Sequence, residues 1–142
     1  MIGMQSSMHR HQYNHILTLW KRFMPRKKEL QNLLTTELIA LQVYSDILNA
    51  EKPFAIWACA EVSDFNKIPT DMEAFTIPCG TYAVFHHKGN DASKLYPYIM
   101  TEWLPNSVYE IDDRPHFQVM GDNYSNGCSD SEEDFYVPVK LK

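Results

Sequence analysis

Apolar and polar residues alternate along this chain with two periods, one typical of strands and one typical of helices. Residues 2–8 are half apolar and predict an edge strand. The next apolar residues recur at the i, i+3, i+4 and i+7 spacing of one helical face. They are Ile16, Leu19, Trp20 and Phe23. Residues 37–44 and 54–62 are apolar runs that predict two further strands, so the first half reads β, α, β, β.

The second half repeats this order. Residues 75–89 predict a long strand that a proline and a glycine interrupt, and residues 93–103 predict a helix. Residues 114–120 and 135–140 predict two more strands. The polar segment 121–134 between them is expected to be a loop whose acids form a solvated turn.

The duplicated order predicts an α+β fold made of two β-α-β-β modules related by pseudo-twofold symmetry. We expect a single domain over residues 1–142, with a first module at about 1–66 and a second at about 73–142. Amphipathic helices would cover one side of an antiparallel sheet. The seam between the modules is then a natural place for a ligand cleft.

The formal net charge of −5 argues against direct binding of nucleic acid, because contact with phosphates requires a basic surface. The N-terminal segment has no apolar core of a signal peptide, and no later run is long enough to cross a bilayer. Three widely spaced cysteines, Cys59, Cys79 and Cys128, indicate reduced thiols. We therefore expect a cytoplasmic protein without membrane contact.

The motifs of common cofactor and catalytic sites are missing from the sequence. It contains no HExxH or CxxC pattern, no phosphate-binding loop, no GxGxxG and no GxSxG elbow. We therefore expect neither a metal nor a cofactor, and binding rather than catalysis.

Four stretches in this order resemble the GyrI-like, or AraC-type effector-binding, family. They are LWKRFMPRKKELQN at 19–32, WACAEVSDFNKIPTDMEAFTIPCGTYAVFHHKG at 57–89, EWLPNSVYEIDDRPHF at 102–117 and VPVK at 137–140. Together they extend the resemblance over nearly the whole chain. It implies two β-α-β-β modules with the ligand site between them, and a stand-alone module without a DNA-binding domain.

The resemblance also implies a function. Family members that recognise many drugs bind lipophilic cations in an aromatic pocket that contains a carboxylate. Other members antagonise inhibition of DNA gyrase or toxins, and a subset is similar to hydrolases of reactive natural products. Many members carry Glu where this chain has Gln118, so the charge of the pocket must come from another residue or be absent.

Glu102 is the first candidate for that charge, because on a helix it shares a face with Tyr98 and is followed by Trp103. An ordinary glutamate at the surface of a helix end is the alternative. Glu61 is the reserve carboxylate, since it lies four residues after Trp57 in a predicted strand and points to the same side. For Glu61 a structural salt bridge is the alternative.

The remaining candidates for the pocket are Tyr82, Tyr109, Phe117, Gln118 and Trp20. Aromatic residues make up 13% of the chain, more than a minimal core needs, which favours a ring-lined cavity. Each ring alone can equally be part of the core, above all Trp20 on the apolar face of its helix.

These observations predict a module that binds small, lipophilic, cationic aromatic compounds without transforming them. One alternative is a hydrolase that uses Glu102 with a tyrosine as general acid or base. Another is an inhibitor of a DNA-handling enzyme such as gyrase. The expected partner is a small molecule, and a homodimer or an unknown protein partner is left open.

Overall fold

The computed structural model describes residues 1–10, 12–49, 51–89, 91–124 and 129–142. Within these ranges the six predicted strands and two further short strands form one antiparallel sheet. They are β1 (Ile2–Met8), β2 (Leu38–Tyr44), β3 (Phe54–Ala60), β4 (Glu73–Ala74), β5 (Thr81–Lys88), β6 (Tyr109–Ile111), β7 (His116–Met120) and β8 (Glu132–Leu141). Their order is β4-β1-β3-β2-β7-β8-β5, and β6 pairs with the end of β8.

Two helices interrupt the strands. Helix α1 spans Asn14–Phe23 and continues as a 3-10 helix over Met24–Glu29, where a proline stands near the start. Helix α2 is a single turn at Leu95–Tyr98 that passes into a π-helical turn at Ile99–Trp103. The backbone N–H of Leu104 donates to the carbonyl oxygen of Ile99 at 2.9 Å, which is the i to i+5 bond of a π-helix.

Both helices lie on the same face of the sheet. Leu19 of α1 packs in a core cluster with Ala58, and Ile99 packs in another with Val137. Ala58 and Val137 share a face, because the strand register links Ala58 through Ala40 and Gln118 to Phe135, two residues before Val137. The α+β fold with duplicated β-α-β-β order and helices on one side is therefore confirmed.

The pairing of β2 with β7 joins the two runs at the centre of the sheet, with Leu41 opposite Phe117. On the face away from the helices, these two residues belong to a further core cluster with Trp57 and Cys59. Part of the segment before β5 packs on this cluster through Phe75 and Ile77. This face is a second core layer.

The segment 75–80 is not part of β5, although the sequence predicted a strand over 75–89. Pro78 has no N–H to donate to a strand pair. Gly80 lies against the guanidinium of Arg114, where a Cβ atom would collide with it. After β4 the chain therefore returns to the sheet only at Thr81.

Strand β8 begins at Glu132, three residues earlier than predicted. The predicted loop over 121–134 is correspondingly shorter, and residues 125–128, with Cys128, lie outside the described ranges. Cys59 and Cys79 are free thiols, the first buried and the second exposed. No helix in the described part of the chain has the length and apolar character needed to cross a bilayer.

Candidate ligand-binding site

A cavity of about 590 Å³ lies between α1 and the centre of the sheet. Its helical wall consists of Ile16, Leu17 and Trp20 of α1 and of Met24 at the start of the 3-10 helix. Leu17 and Met24 are 56% and 46% exposed, which leaves much apolar side-chain surface uncovered on the cavity side of this segment. Covering such surface with a lipophilic molecule is favourable, because it removes apolar area from water.

The floor of the cavity comes from both halves of the chain. Leu38 and Ala40 belong to β2, Met120 belongs to β7, and Glu133 belongs to β8. Leu38 pairs directly with Met120 across the central strand pair. A ligand in this cavity would therefore contact both β-α-β-β runs. We call it the Glu133 cavity.

The rim of the Glu133 cavity is polar. It contains Lys27, Thr36, Gly121, Asp122 and Tyr124. The Thr36 hydroxyl donates to a carboxylate oxygen of Asp122 at 3.3 Å and connects the two sides of the rim. Apolar walls with a few polar groups at the edge are typical of small-molecule sites, and the volume lies in their usual range.

Glu133 is the half-buried acid of this cavity. Desolvation raises the pKa of its carboxyl, and the neighbouring His87, its partner across the β5–β8 pair, acts in the opposite direction. Within the described ranges the carboxylate takes part in no hydrogen bond or salt bridge. A partly desolvated carboxylate without a partner favours a cation beside it.

Sequence reasoning missed Glu133 because it assigned residues 121–134 to a solvated loop. The available signal was the alternation along β8, in which Glu133 shares a face with Phe135, Val137 and Val139. Three successive acids, Glu132 to Asp134, concealed this pattern. On the opposite face, Glu132 and Asp134 are instead bound to His86 at 3.4 and 2.7 Å.

Two of the predicted site residues lie on the helix side of the central sheet. Trp20 lines the Glu133 cavity and packs edge-on against Phe23, with ring centroids 5.8 Å apart. Gln118 is the register partner of Ala40 in the cavity floor. Its side chain forms reciprocal hydrogen bonds with Gln42.

Three other predicted residues, Trp57, Tyr82 and Phe117, lie on the opposite face of the sheet. Trp57 is buried against Phe75, with centroids 5.4 Å apart. Phe117 stacks on Tyr136 at 4.5 Å. Tyr82 contacts Phe117 edge-on at 5.3 Å. Since neighbouring strand residues point to opposite faces, Phe117 and Gln118 cannot both face the cavity.

Trp103 and Tyr109 belong to the core cluster beneath α2. Their rings stack in parallel with centroids 6.3 Å apart, and Trp103 also meets Phe85 edge-on at 5.1 Å. Tyr98, on the outer side of the α2 segment, is 47% exposed. None of these three predicted residues lines the Glu133 cavity.

The two predicted carboxylates are exposed and do not line the Glu133 cavity. Glu102 lies in the π-helical turn, where the wider turn changes the i, i+4 alignment with Tyr98 that the prediction assumed. Glu61 follows the end of β3, so it no longer obeys the alternation that linked it to Trp57. Their roles in ligand binding stay predictions.

A family model matches residues 1–139, and its description is Cass2, integron-associated effector binding protein. The chain belongs to this effector-binding family. This match confirms the resemblance to the GyrI-like group, and the following relatives and solved structures agree with it.

Two curated relatives of this Cass2-family chain are bacterial proteins. One is a DNA gyrase inhibitor of Erwinia billingiae, 35% identical over 86 residues, which cover 51% of this chain and 53% of the relative. The other is the transcriptional regulator BrlR of Pseudomonas aeruginosa, 27% identical over 124 residues, which cover 85% of this chain and 45% of BrlR. The chain spans about half the length of these relatives.

Two solved structures share the fold of the family. The structure of SAV2435 bound to tetraphenylphosphonium has a TM-score of 0.70 and 16% identity, covering 98% of this chain and 87% of SAV2435. A protein of Staphylococcus aureus MU50, described as a transcription regulation protein, has a TM-score of 0.67 and 15% identity, covering 98% and 90% of the two chains. At these identities the likeness concerns the fold.

Proposed function

We propose that this protein binds lipophilic aromatic cations in the Glu133 cavity and releases them unchanged. The observation that carries this proposal is the half-buried Glu133 carboxylate beside the apolar floor of a cavity whose wall contains a tryptophan. Its charge is opposite to that of the ligand. Its location between both halves of the sheet allows a bound molecule to contact each of them.

Two physical contributions favour such a ligand. Leu17, Met24 and Met120 offer apolar surface that a hydrophobic molecule covers, at about 25 cal/mol for each Å² removed from water. The Trp20 ring can attract a cation, a contact worth roughly 0.5–2 kcal/mol. Glu133 then neutralises the charge inside the cavity, where an unpaired cation would be unfavourable.

The family and its structural relatives support the proposal. The matching family model is described as an effector-binding protein, and SAV2435, which shares the fold, is bound to tetraphenylphosphonium in its solved structure. Tetraphenylphosphonium is a lipophilic cation whose positively charged phosphorus is surrounded by phenyl rings. We extend this ligand class to the present chain because Glu133 and Trp20 supply the complementary chemistry.

A structure determined with tetraphenylphosphonium tests the location. We expect the phosphonium between α1 and the β2–β7 pair, with Glu133 as the nearest carboxylate. Binding on the opposite sheet face, beside Trp57 and Phe117, would contradict the proposed site.

Mass spectrometry of the recovered ligand, and of strained electrophiles incubated with the protein, tests the absence of turnover. A hydrolysed product would favour the hydrolase alternative.

Inhibition of gyrase is a second candidate, favoured by the 35% identity with a DNA gyrase inhibitor over half of the chain. A supercoiling assay with purified gyrase distinguishes the two candidates. Loss of supercoiling that increases with the concentration of this protein would support inhibition. Unchanged supercoiling, together with binding of tetraphenylphosphonium, is the result that our proposal predicts.

A further inference from the structure

A second cavity, of about 470 Å³, lies on the helix side of the sheet beyond the Glu133 cavity. Its rings are Tyr13, Tyr44 and Tyr96, and its apolar side chains are Ile47, Pro97 and Met100. Tyr44 ends β2, whereas Leu38 of the Glu133 cavity begins it. The two lie at opposite ends of this strand, a distance of about 20 Å. Arg10 completes the lining, and we call this the Arg10 cavity.

Arg10 is the charged side chain of the Arg10 cavity, and none of the described lining residues is an acid. The guanidinium carbon lies 5.9 Å from the centre of the Tyr44 ring. Nη2 donates to the carbonyl oxygen of Ile47 at 2.5 Å, which fixes the orientation of the group. Its other N–H groups make no hydrogen bond to the described residues, so they are free to donate to a ligand.

A buried histidine ring lies behind two of the tyrosines of the Arg10 cavity. His116 is 1% exposed, its Nδ1 lies 3.1 Å from the Tyr96 hydroxyl, and the Tyr44 ring meets it edge-on at 5.2 Å. Burial lowers the pKa of His116 to about 4, so its imidazole is neutral at neutral pH. Burial also raises the pKa values of Tyr44 and Tyr96, which keeps both phenols protonated.

We propose that the Arg10 cavity binds anionic aromatic compounds, in particular small arene carboxylates. The tyrosine rings contact the arene, and the free N–H groups of Arg10 pair with the carboxylate, for which a planar guanidinium is geometrically suited. This assignment does not rest on the proposed cation site, because it uses different residues and a different ligand.

Calorimetric titration with 2-naphthoate and its uncharged analogue 2-naphthamide tests the proposal. The parent protein should bind 2-naphthoate more tightly than 2-naphthamide. Arg10→Gln should weaken the binding of 2-naphthoate about tenfold or more, and Arg10→Lys should restore part of the loss. Neither substitution should change the binding of 2-naphthamide more than about twofold.

Two further variants locate the ligand. Met100→Trp fills the Arg10 cavity and should abolish binding of both naphthyl compounds. Glu133→Gln changes the other cavity and should leave the affinity for both compounds unchanged. Circular dichroism establishes that each variant is folded. The proposal is overturned if 2-naphthoate does not bind the parent protein, if Arg10→Gln binds it equally well, or if Glu133→Gln removes its binding.

Discussion

Gln42 and Gln118 exchange two side-chain hydrogen bonds, of 2.8 and 3.2 Å, across the strand pair that joins the two halves of the sheet. Ala40, the register partner of Gln118, lines the Glu133 cavity, and His116, the partner of Gln42, lies beneath the Arg10 cavity. The neutral, mutually satisfied amide pair therefore lies between the cavity that contains Glu133 and the cavity that contains Arg10.

Gln118→Met should lower the free energy of unfolding by about 1 kcal/mol, because it leaves the half-buried Gln42 amide without its partner. The double variant Gln42→Met/Gln118→Met should lose less than the sum of the two single variants, since it leaves no unsatisfied amide. Urea unfolding of the four proteins measures this coupling. Strictly additive losses would show that the two amides do not depend on each other.

Stability should decrease on acidification because His116 is buried as a neutral ring. Its pKa in the folded protein is about 4, lower than the unfolded value of about 6.5, so the contribution is complete above the unfolded pKa and is lost as pH falls toward 4. Between about pH 7.5 and pH 5 the loss should be about 2 kcal/mol. The free energy of unfolding, measured with urea, should depend much less on pH in His116→Gln than in the parent protein. Equal pH dependence in both proteins would exclude His116 as its cause.

The order of elements could be predicted from the sequence because strands and helices have different hydrophobic periods. The stripe of Ile16, Leu19, Trp20 and Phe23 matches α1, and both β-α-β-β runs are present. Short elements were missed. Strands β4 and β6 have two and three residues, too few for a recognisable alternation.

The candidate site was less predictable, because it depends on which way single side chains point. The sequence does not reveal that the helix after Tyr98 widens into a π-turn, which changes the direction in which Glu102 points. Nor do three successive acids look like the start of a strand, although β8 begins at Glu132. The direction of the Glu133 side chain depends on the register of β8 in the sheet, in which Glu133 lies opposite His87 of β5. The sequence alone does not show this register.

Trp20→Leu should weaken the binding of tetraphenylphosphonium about two- to thirtyfold, the range that corresponds to a lost cation–π contact. Trp57→Leu is the matched control, because Trp57 lies on the other face of the sheet. Calorimetric titration at a temperature at which both variants are folded measures the difference. An equal loss in both variants would indicate a general loss of structure instead of a contact with the ligand.

Binding of tetraphenylphosphonium should weaken as pH falls through the pKa of Glu133, since only the carboxylate neutralises a cation. Burial raises that pKa, so the change should begin above the ordinary glutamate value of about 4.3. Among the described residues, His87, Lys27, Asp122 and Tyr124 are the other titratable groups that face Glu133 or line its cavity. Titrations of the parent and of His87→Gln should show the same trend. A dependence that disappears in His87→Gln would assign the effect to the histidine.

The central claim is that Glu133 supplies the counter-charge for a bound cation. The direct measurement compares tetraphenylphosphonium with neutral triphenylphosphine oxide in the parent, Glu133→Gln and Glu132→Gln. Glu132 is the matched control, because it is the neighbouring acid on the opposite face of β8, where it contacts His86.

Glu133→Gln should remain folded at neutral pH, since ionisation of a carboxyl with a raised pKa costs the folded state stability above that pKa. We expect Glu133→Gln to weaken binding of the cation about tenfold or more and to leave the neutral compound unchanged, while Glu132→Gln affects neither. Equal affinity of the parent and Glu133→Gln for tetraphenylphosphonium would contradict the account.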